Sequence, residues 1–145
     1  FLLDTGVRLG EALSFKKGAI QKLEGKYFIV LYGDETKNGT TRSVPLTRRC
    51  VAIVNALGDF SHLDYNMTER VWTRLRKDMG LADDKQFVIH CLRHTCASRL
   101  AQSGKVELHF IKEWLGHKSY NMTLRYAHLM PKNLLKAVSI LEDYE

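Results

Sequence analysis

Ionisable side chains fall at chemically useful spacings in four separated stretches of this chain. In "HCLRHTCASRL", His90, Arg93 and His94 lie at i, i+3 and i+4 and therefore share one helix face. In "LGHKSYNMTLRYAH", residues 115–128, His117 precedes Tyr126 by nine positions, with Lys118, Arg125 and His128 close by. "TGVRLGEAL" carries Arg8 and Glu11, and "TKNGTTRSVPL" carries Lys37 just ahead of Asn38-Gly39.

Each stretch has an ordinary reading beside a chemical one. A tyrosine on a helix is commonly a core residue with its hydroxyl at the surface; Tyr126 can also be a nucleophile. A histidine pair at i, i+4 can bind zinc, but the acidic residue of the metalloprotease helix is missing and Arg93 between the two would repel a dication. No metal site is expected. The same face can be a solvated basic surface, or an anion site in which the planar fork of Arg93 takes two oxygens and a neighbouring histidine donates or shuttles a proton. Arg8 and Glu11 can form a surface ion pair, or Glu11 can orient the Arg8 fork toward an anion. Lys37 suits solubility at a strand edge, or delivery of a cation from a hairpin tip into a partner's groove. Arg70, Arg74, Arg76 and Lys77 suit a solvated helix face, with some scope for phosphate contacts.

The elements that must position these groups follow from periodicity and caps. A first helix is predicted from the start to about Ser14. The apolar run from Tyr27 to Tyr32 reads as a strand, and Asn38-Gly39 suits a tight hairpin because both residues tolerate positive φ. Beyond it Arg42, Val44 and Leu46 alternate with Thr41, Ser43 and Pro45, and Pro45 belongs at an edge or strand end. The rest reads as helices. They are "RRCVAIVNAL", a second with Met67, Val71, Leu75 and Met79 every fourth residue, and a third with Leu92, Cys96 and Leu100 on a stripe opposite His90, Arg93 and His94. A fourth carries Leu108, Ile111 and Leu115 inward. Glycines at 80, 104 and 116 close the last three of these. Ser119 can cap a helix containing Tyr126, and Pro131 separates it from a final helix, "KNLLKAVSILEDYE". The fold class is α+β, mainly α: a helical bundle with one small antiparallel sheet near the N-terminus.

At 145 residues the chain is one domain long, and 45% apolar with 26% charged residues is the balance of a soluble globular protein. No apolar run approaches bilayer length, so no membrane partner is expected, and Cys50, Cys91 and Cys96 have no zinc or disulfide spacing, which fits a reducing cytoplasm. A net charge of +6 favours a polyanionic partner.

The order of the motifs is more specific than any one of them: Arg with Glu, a hairpin Lys, H-x-x-R, then His, then Tyr. In this order the chain resembles the tyrosine recombinases, the phage integrase family, over nearly its whole length. "TGVRLGEAL" is similar to the family's first-arginine motif, "TKNGTTRSVPL" to its lysine hairpin, "HCLRHTCASRL" to its H-x-L-R-H helix, and "LGHKSYNMTLRYAH" to its L-G-H and tyrosine segment. Cys91 departs from the acidic residue common there. The resemblance implies a three-stranded sheet and a catalytic set of Arg8, Lys37, His90, Arg93, His117 and Tyr126, with Glu11 in support. Tyr126 is then the nucleophile, His90 its base, His117 a donor to the phosphate, and Lys37 the acid that protonates the departing 5′ oxygen. The link formed is a 3′-phosphotyrosine, made without metal, ATP or other cofactor.

What the resemblance implies for the whole is a catalytic domain spanning 1–145, cut from a longer protein whose N-terminal DNA-binding domain is missing, as the abrupt helical start at Phe1 suggests. The expected enzyme is a site-specific DNA recombinase of a phage or mobile element. Its partners are double-stranded DNA at attachment sites, further copies in a homotetramer on paired sites, and accessory DNA-bending proteins. Val138, Ile140 and Leu141 suit a tail that docks on a neighbouring subunit or one that packs on its own domain. Two alternatives are a type IB topoisomerase, which would share the pocket, and a basic DNA-binding module without catalysis.

Overall fold

A glycine in the left-handed conformation divides the first predicted helix in two. The computed structural model describes residues 1–33, 39–131, 138 and 140–143. In it α1 spans Leu2–Thr5, Gly6 stands at φ 63°, and α2 runs Leu9–Ser14. A Cβ on Gly6 would meet the Leu115 side chain at 3.0 Å and Cys96 Sγ at 3.1 Å, so both the backbone angle and the close approach require glycine. Arg8 consequently caps α2 in an extended conformation and does not sit inside a helix as the i, i+3 spacing suggested.

The sheet has three antiparallel strands in chain order: β1 (Ile20–Leu23), β2 (Lys26–Leu31) and β3 (Arg42–Pro45). Ile29 faces Val44 and Leu31 faces Arg42 across β2 and β3. Pro45 ends an edge strand, where its missing N–H costs no ladder bond. The hairpin residues Lys37 and Asn38 lie outside the described residues.

Among the described residues the elements after the sheet are helical: α3 (Arg48–Leu57), α4 (Tyr65–Asp78), α5 (Cys91–Gln102), α6 (Leu108–Leu115) and α7 (Asn121–Leu124). Thr47 caps α3 by accepting from Cys50 N at 3.2 Å, and Asp64 caps α4 by accepting from Met67 N at 2.6 Å. Residue 126 lies between α7 and a short 3-10 turn, Ala127–Leu129, so Tyr126 is not in the Ser119-capped helix expected for it. Ser119 Oγ still accepts from Asn121 N at 3.1 Å. The final helix falls largely outside the described residues; Val138, Ile140 and Leu141 are helical and exposed.

Two apolar clusters form the core. One joins α2, the sheet and α3 around Phe15, Ile29, Leu31, Val44, Val54 and Phe60, with Phe1, Phe15 and Phe60 in mutual ring contact at 5.0–5.6 Å. The other joins α5 and α6 to the residue-126 turn through Ala97, Ala101, Leu108, Ile111, Leu115 and Tyr126. Trp114 packs against both, and its indole N–H donates to Thr5 O at 2.8 Å. The other tryptophan, Trp72 on α4, donates to Phe87 O at 3.1 Å and lies against the Phe87 ring.

Helix burial departs from the sequence pattern in two places. Met67, Val71, Leu75 and Met79 do line one stripe of α4, but all four are exposed. On α5 the buried set is Arg93, Cys96, Ala97 and Ala101, so Arg93 points into the protein and is not part of a solvated face. Leu92 and Leu100 are only half-buried.

Candidate active site

Glu11 organises the first arm of the site. It is 3% exposed and its carboxylate accepts from the Arg8 backbone N at 2.8 Å and from the Arg8 guanidinium at 2.9 Å. Its other partner is Arg42, which donates through two nitrogens at 3.0 and 2.7 Å. Burial pushes the Glu11 carboxyl up, but the hydrogen bonds and charges of Arg42 and Arg8 outweigh it and hold the pKa below the usual range. A carboxylate flanked by two guanidinium groups leaves net positive charge, with Arg8 oriented at the rim.

Arg42 is the residue the motif reading passed over, and a signal for it existed. It shares a strand face with Val44, which is fully buried, and a cation on a buried face needs a buried counter-ion. Its side chain also crosses Gly116, where a Cβ would meet Arg42 atoms at 2.8–2.9 Å. Gly116 stands at φ 65° and ends α6, so the glycine of "LGH" both closes the helix and admits Arg42.

Arg93 is the second arm, 4% exposed on the inward face of α5. Its two terminal nitrogens donate to Gly6 O at 2.6 Å and Leu115 O at 2.5 Å. One guanidinium thereby joins the left-handed turn after α1 to the end of α6. Burial and the Arg8 charge lower its pKa to about 10, which keeps it cationic at neutral pH. Arg8, His90 and Arg93 line one cleft of about 530 Å³. Arg42 and His117 line a second, of about 480 Å³, with Lys112 among its walls.

His117, 8% exposed, follows Gly116 directly, and its Nδ1 lies 2.8 Å from Thr123 Oγ1. Burial, then Arg93, Arg8 and Arg125, push its pKa down to about 4, so the ring is neutral. If the Thr123 hydroxyl donates to Nδ1, the proton resides on Nε2, the state in which His117 can donate to a bound oxyanion. Thr123 is fully buried and gave no warning in the sequence.

Tyr126 is 4% exposed, and its hydroxyl lies 2.6 Å from His94 Nδ1. Burial raises its pKa, against the opposing pull of Arg125 and Arg93. His90, at the mouth of α5, meets the His94 ring edge-on at 5.0 Å and so stands next to the imidazole that touches Tyr126. Burial lowers the pKa of both histidines; His94 and Arg93 add to this at His90, and Arg125 and Arg93 at His94.

The structure thus gathers Arg8, Glu11, His90, Arg93, His117 and Tyr126 around one end of α5, and Lys37 lies outside the described residues. Of the basic residues on α4, Arg70, Arg74 and Lys77 are exposed, whereas Arg76 donates to Ala82 O at 2.7 Å and Asp84 O at 2.6 Å and holds the following turn. Among the described residues no group of three or more His, Cys, Asp or Glu is placed to hold a metal ion, and no helix is long and apolar enough to cross a membrane.

The fold is shared by proteins of known function. The XerH site-specific recombinase, solved on its palindromic difH substrate in a post-cleavage complex, superposes with a TM-score of 0.71 at 26% identity over 97% of this chain and 44% of that one. The catalytic domain of bacteriophage HP1 integrase gives 0.70 at 28% identity, over 95% of this chain and 76% of that one. In sequence, the shufflon-specific DNA recombinase of Escherichia coli is 33% identical over 88% of this chain and 33% of its own length. Tyrosine recombinase XerC of Rickettsia prowazekii is 30% identical over 89% of this chain and 45% of its own length. The chain spans less than half the length of these curated relatives. Residues 1–133 match the phage integrase family, and the chain belongs to that family.

Proposed function

We propose that this chain is the catalytic domain of a site-specific DNA recombinase, an integrase that cuts and rejoins strands through a 3′-phosphotyrosyl link on Tyr126. The observation that carries this reading is the buried Tyr126 hydroxyl paired with an imidazole, beside the cleft lined by Arg8 and Arg93. A DNA phosphodiester is anionic and repels an oxygen nucleophile, so the reaction depends on positioning and on charge stabilisation. Arg8, oriented by Glu11, and Arg93 hold the non-bridging oxygens and offset the charge that builds in the transition state. His117, neutral and braced by Thr123, donates to the same phosphate. The phenol proton leaves through the His90/His94 pair, and Lys37 protonates the departing 5′ oxygen. The phosphotyrosine keeps the energy of the broken bond, so rejoining needs no ATP, and two guanidinium groups supply the charge for which other phosphoryl-transfer enzymes use a metal.

The partner is double-stranded DNA at specific attachment sites, in keeping with the charge of +6 and the exposed Arg70, Arg74 and Lys77. Strand exchange between two such sites calls for a homotetramer, assisted by accessory DNA-bending proteins. The exposed Val138, Ile140 and Leu141 support the use of the tail as a contact between subunits. The working enzyme is the longer protein, with a separate DNA-binding domain ahead of this one, and acts on DNA in the cytoplasm. Trapping the covalent intermediate tests the reading. With chelator present, the protein should form a detergent-stable adduct on nicked duplexes randomised around the nick, mapped to Tyr126. Tyr126→Phe should bind DNA normally and form none; an undiminished adduct from that variant would remove Tyr126 as nucleophile.

A further inference from the structure

We infer that His94 is the base that takes the proton from Tyr126, an assignment that rests on the recombinase reading above. The phenol is buried, and a buried hydroxyl donates to whatever acceptor it is given. Its partner here is His94 Nδ1 at 2.6 Å, from a residue 32 positions earlier in the chain. The assignment normally suggested by the H-x-x-R spacing is His90, but His90 stands at the exposed mouth of α5 and its ring meets His94, not the phenol. His90 is therefore the outer member of a pair, able to pass charge to solvent, while His94 touches the reacting oxygen.

The electrostatic surroundings suit this role. The groups around His94 are Arg93 and His90 at its own end of α5, Arg125 and Tyr126 from the turn after α7, and His117 from the loop after α6. Burial, Arg125 and Arg93 all disfavour the imidazolium, so the resting ring is neutral and offers Nδ1 as an acceptor, with its proton on Nε2. As the Tyr126 oxygen attacks, the O–P bond forms, the P–O5′ bond breaks, the phenol proton moves to His94 Nδ1, and the 5′ oxygen takes a proton from Lys37. In rejoining, the 5′ hydroxyl attacks phosphorus, and the tyrosine oxygen leaves and recovers the proton from His94. An imidazolium held beside Arg93 and Arg125 gives its proton back readily, which favours a reversible step.

The test compares His94→Asn with the parent. The Asn amide can occupy the Nδ1 position and accept the hydrogen bond, but it cannot carry the proton away. On the same randomised nicked duplexes, adduct formation by His94→Asn should be slower by about 100-fold or more near pH 7. That deficit should shrink about tenfold per pH unit as hydroxide ionises the phenol directly, whereas the parent rate levels off once His94 is neutral. A deficit of constant size across pH, or no deficit, would overturn the assignment, since a residue that only packs against Tyr126 cannot generate the pH dependence. Faster cleavage by the variant would also overturn it and make His94 a latch on the nucleophile. Nitrogen NMR of the His94 ring supplies a reading independent of cleavage. Nδ1 should be unprotonated and hydrogen-bonded in the parent, and its signal should move in Tyr126→Phe; a protonated Nδ1 would overturn the proposal. If the NMR result holds but the parent forms no adduct, the recombinase reading has failed and takes the base with it. If the parent forms the adduct and His94→Asn follows its pH profile, only the base is lost.

Discussion

Helices α4 and α5 have opposite relations between pattern and burial. Along α4 the residues Met67, Val71, Leu75 and Met79 make a regular apolar stripe, and the structure leaves every one of them exposed. Along α5 the apolar pattern is weak, yet the helix buries an arginine, a cysteine and two alanines. Period alone specifies that a helix can form and which residues share a face. Which face turns inward is decided by neighbours, and α5 turns Arg93 toward the carbonyls of Gly6 and Leu115. The small side chains of Ala97 and Ala101 then allow α6 to approach.

Breaking the α5 arrangement should produce the largest effect. Arg93→Ala leaves the carbonyls of Gly6 and Leu115 without these donors, costing about 1–3 kcal/mol apiece. It should also slow adduct formation by roughly 100- to 1,000-fold, with far less change in DNA affinity. Denaturant unfolding and single-turnover cleavage measure the two losses separately, and equal losses in affinity and cleavage would make Arg93 an ordinary phosphate contact.

Acidification should act on the same end of the molecule. The His117 pKa is about 4 folded against 6.5 as a free side chain, so the unfolded chain takes up the proton first. Its contribution is therefore complete above pH 6.5 and falls away as pH drops toward 4. At roughly 1.4 kcal/mol per unit, the full window amounts to a loss on the order of 3 kcal/mol. The lowered Glu11 pKa adds a second stabilising contribution, complete above pH 4.5 and lost as pH falls through its folded value. Denaturation midpoints taken from pH 7.5 downward should decline, and less steeply in His117→Asn.

Gly116→Ala should cost about 1–2 kcal/mol from the left-handed backbone alone, before Arg42 is displaced. A melting temperature equal to that of the parent would show that the α6 end relaxes freely. The smallest effect belongs to α4: Val71→Gln on the exposed stripe should change stability by no more than about 0.5 kcal/mol. A larger loss would mean that the stripe is covered in solution.

The local features of the fold were readable in advance. Leu108, Ile111, Leu115 and Gly116 behave as their spacing indicated, and so do Pro45 and the α3 segment. The candidate site residues were proposed from motif order, which groups them without saying how they touch. The contacts that join the separate elements of the pocket are long-range. Arg42 reaches Glu11 across 31 positions, His94 reaches Tyr126 across 32, and Arg93 reaches Gly6 across 87. Spacing carries no information over such distances. The break at Gly6 was hidden for a related reason: residues on both sides suit a helix, and the neighbours that leave no room for a side chain there, Leu115 and Cys96, are distant in the chain.

The two indole hydrogen bonds give each of the contrasted regions its own optical probe. The chain has two tryptophans, one fixed to the carbonyl of Thr5 just before Gly6 and one to that of Phe87 beside α4. Trp114 sits where both apolar clusters meet, so its emission follows the joining of α6 to the first turn of the chain. Trp72 follows only its own corner. Replacing either with phenylalanine leaves a single-tryptophan protein, and comparing the two unfolding curves under tryptophan-selective excitation resolves whether the pocket assembles together with α4 or apart from it.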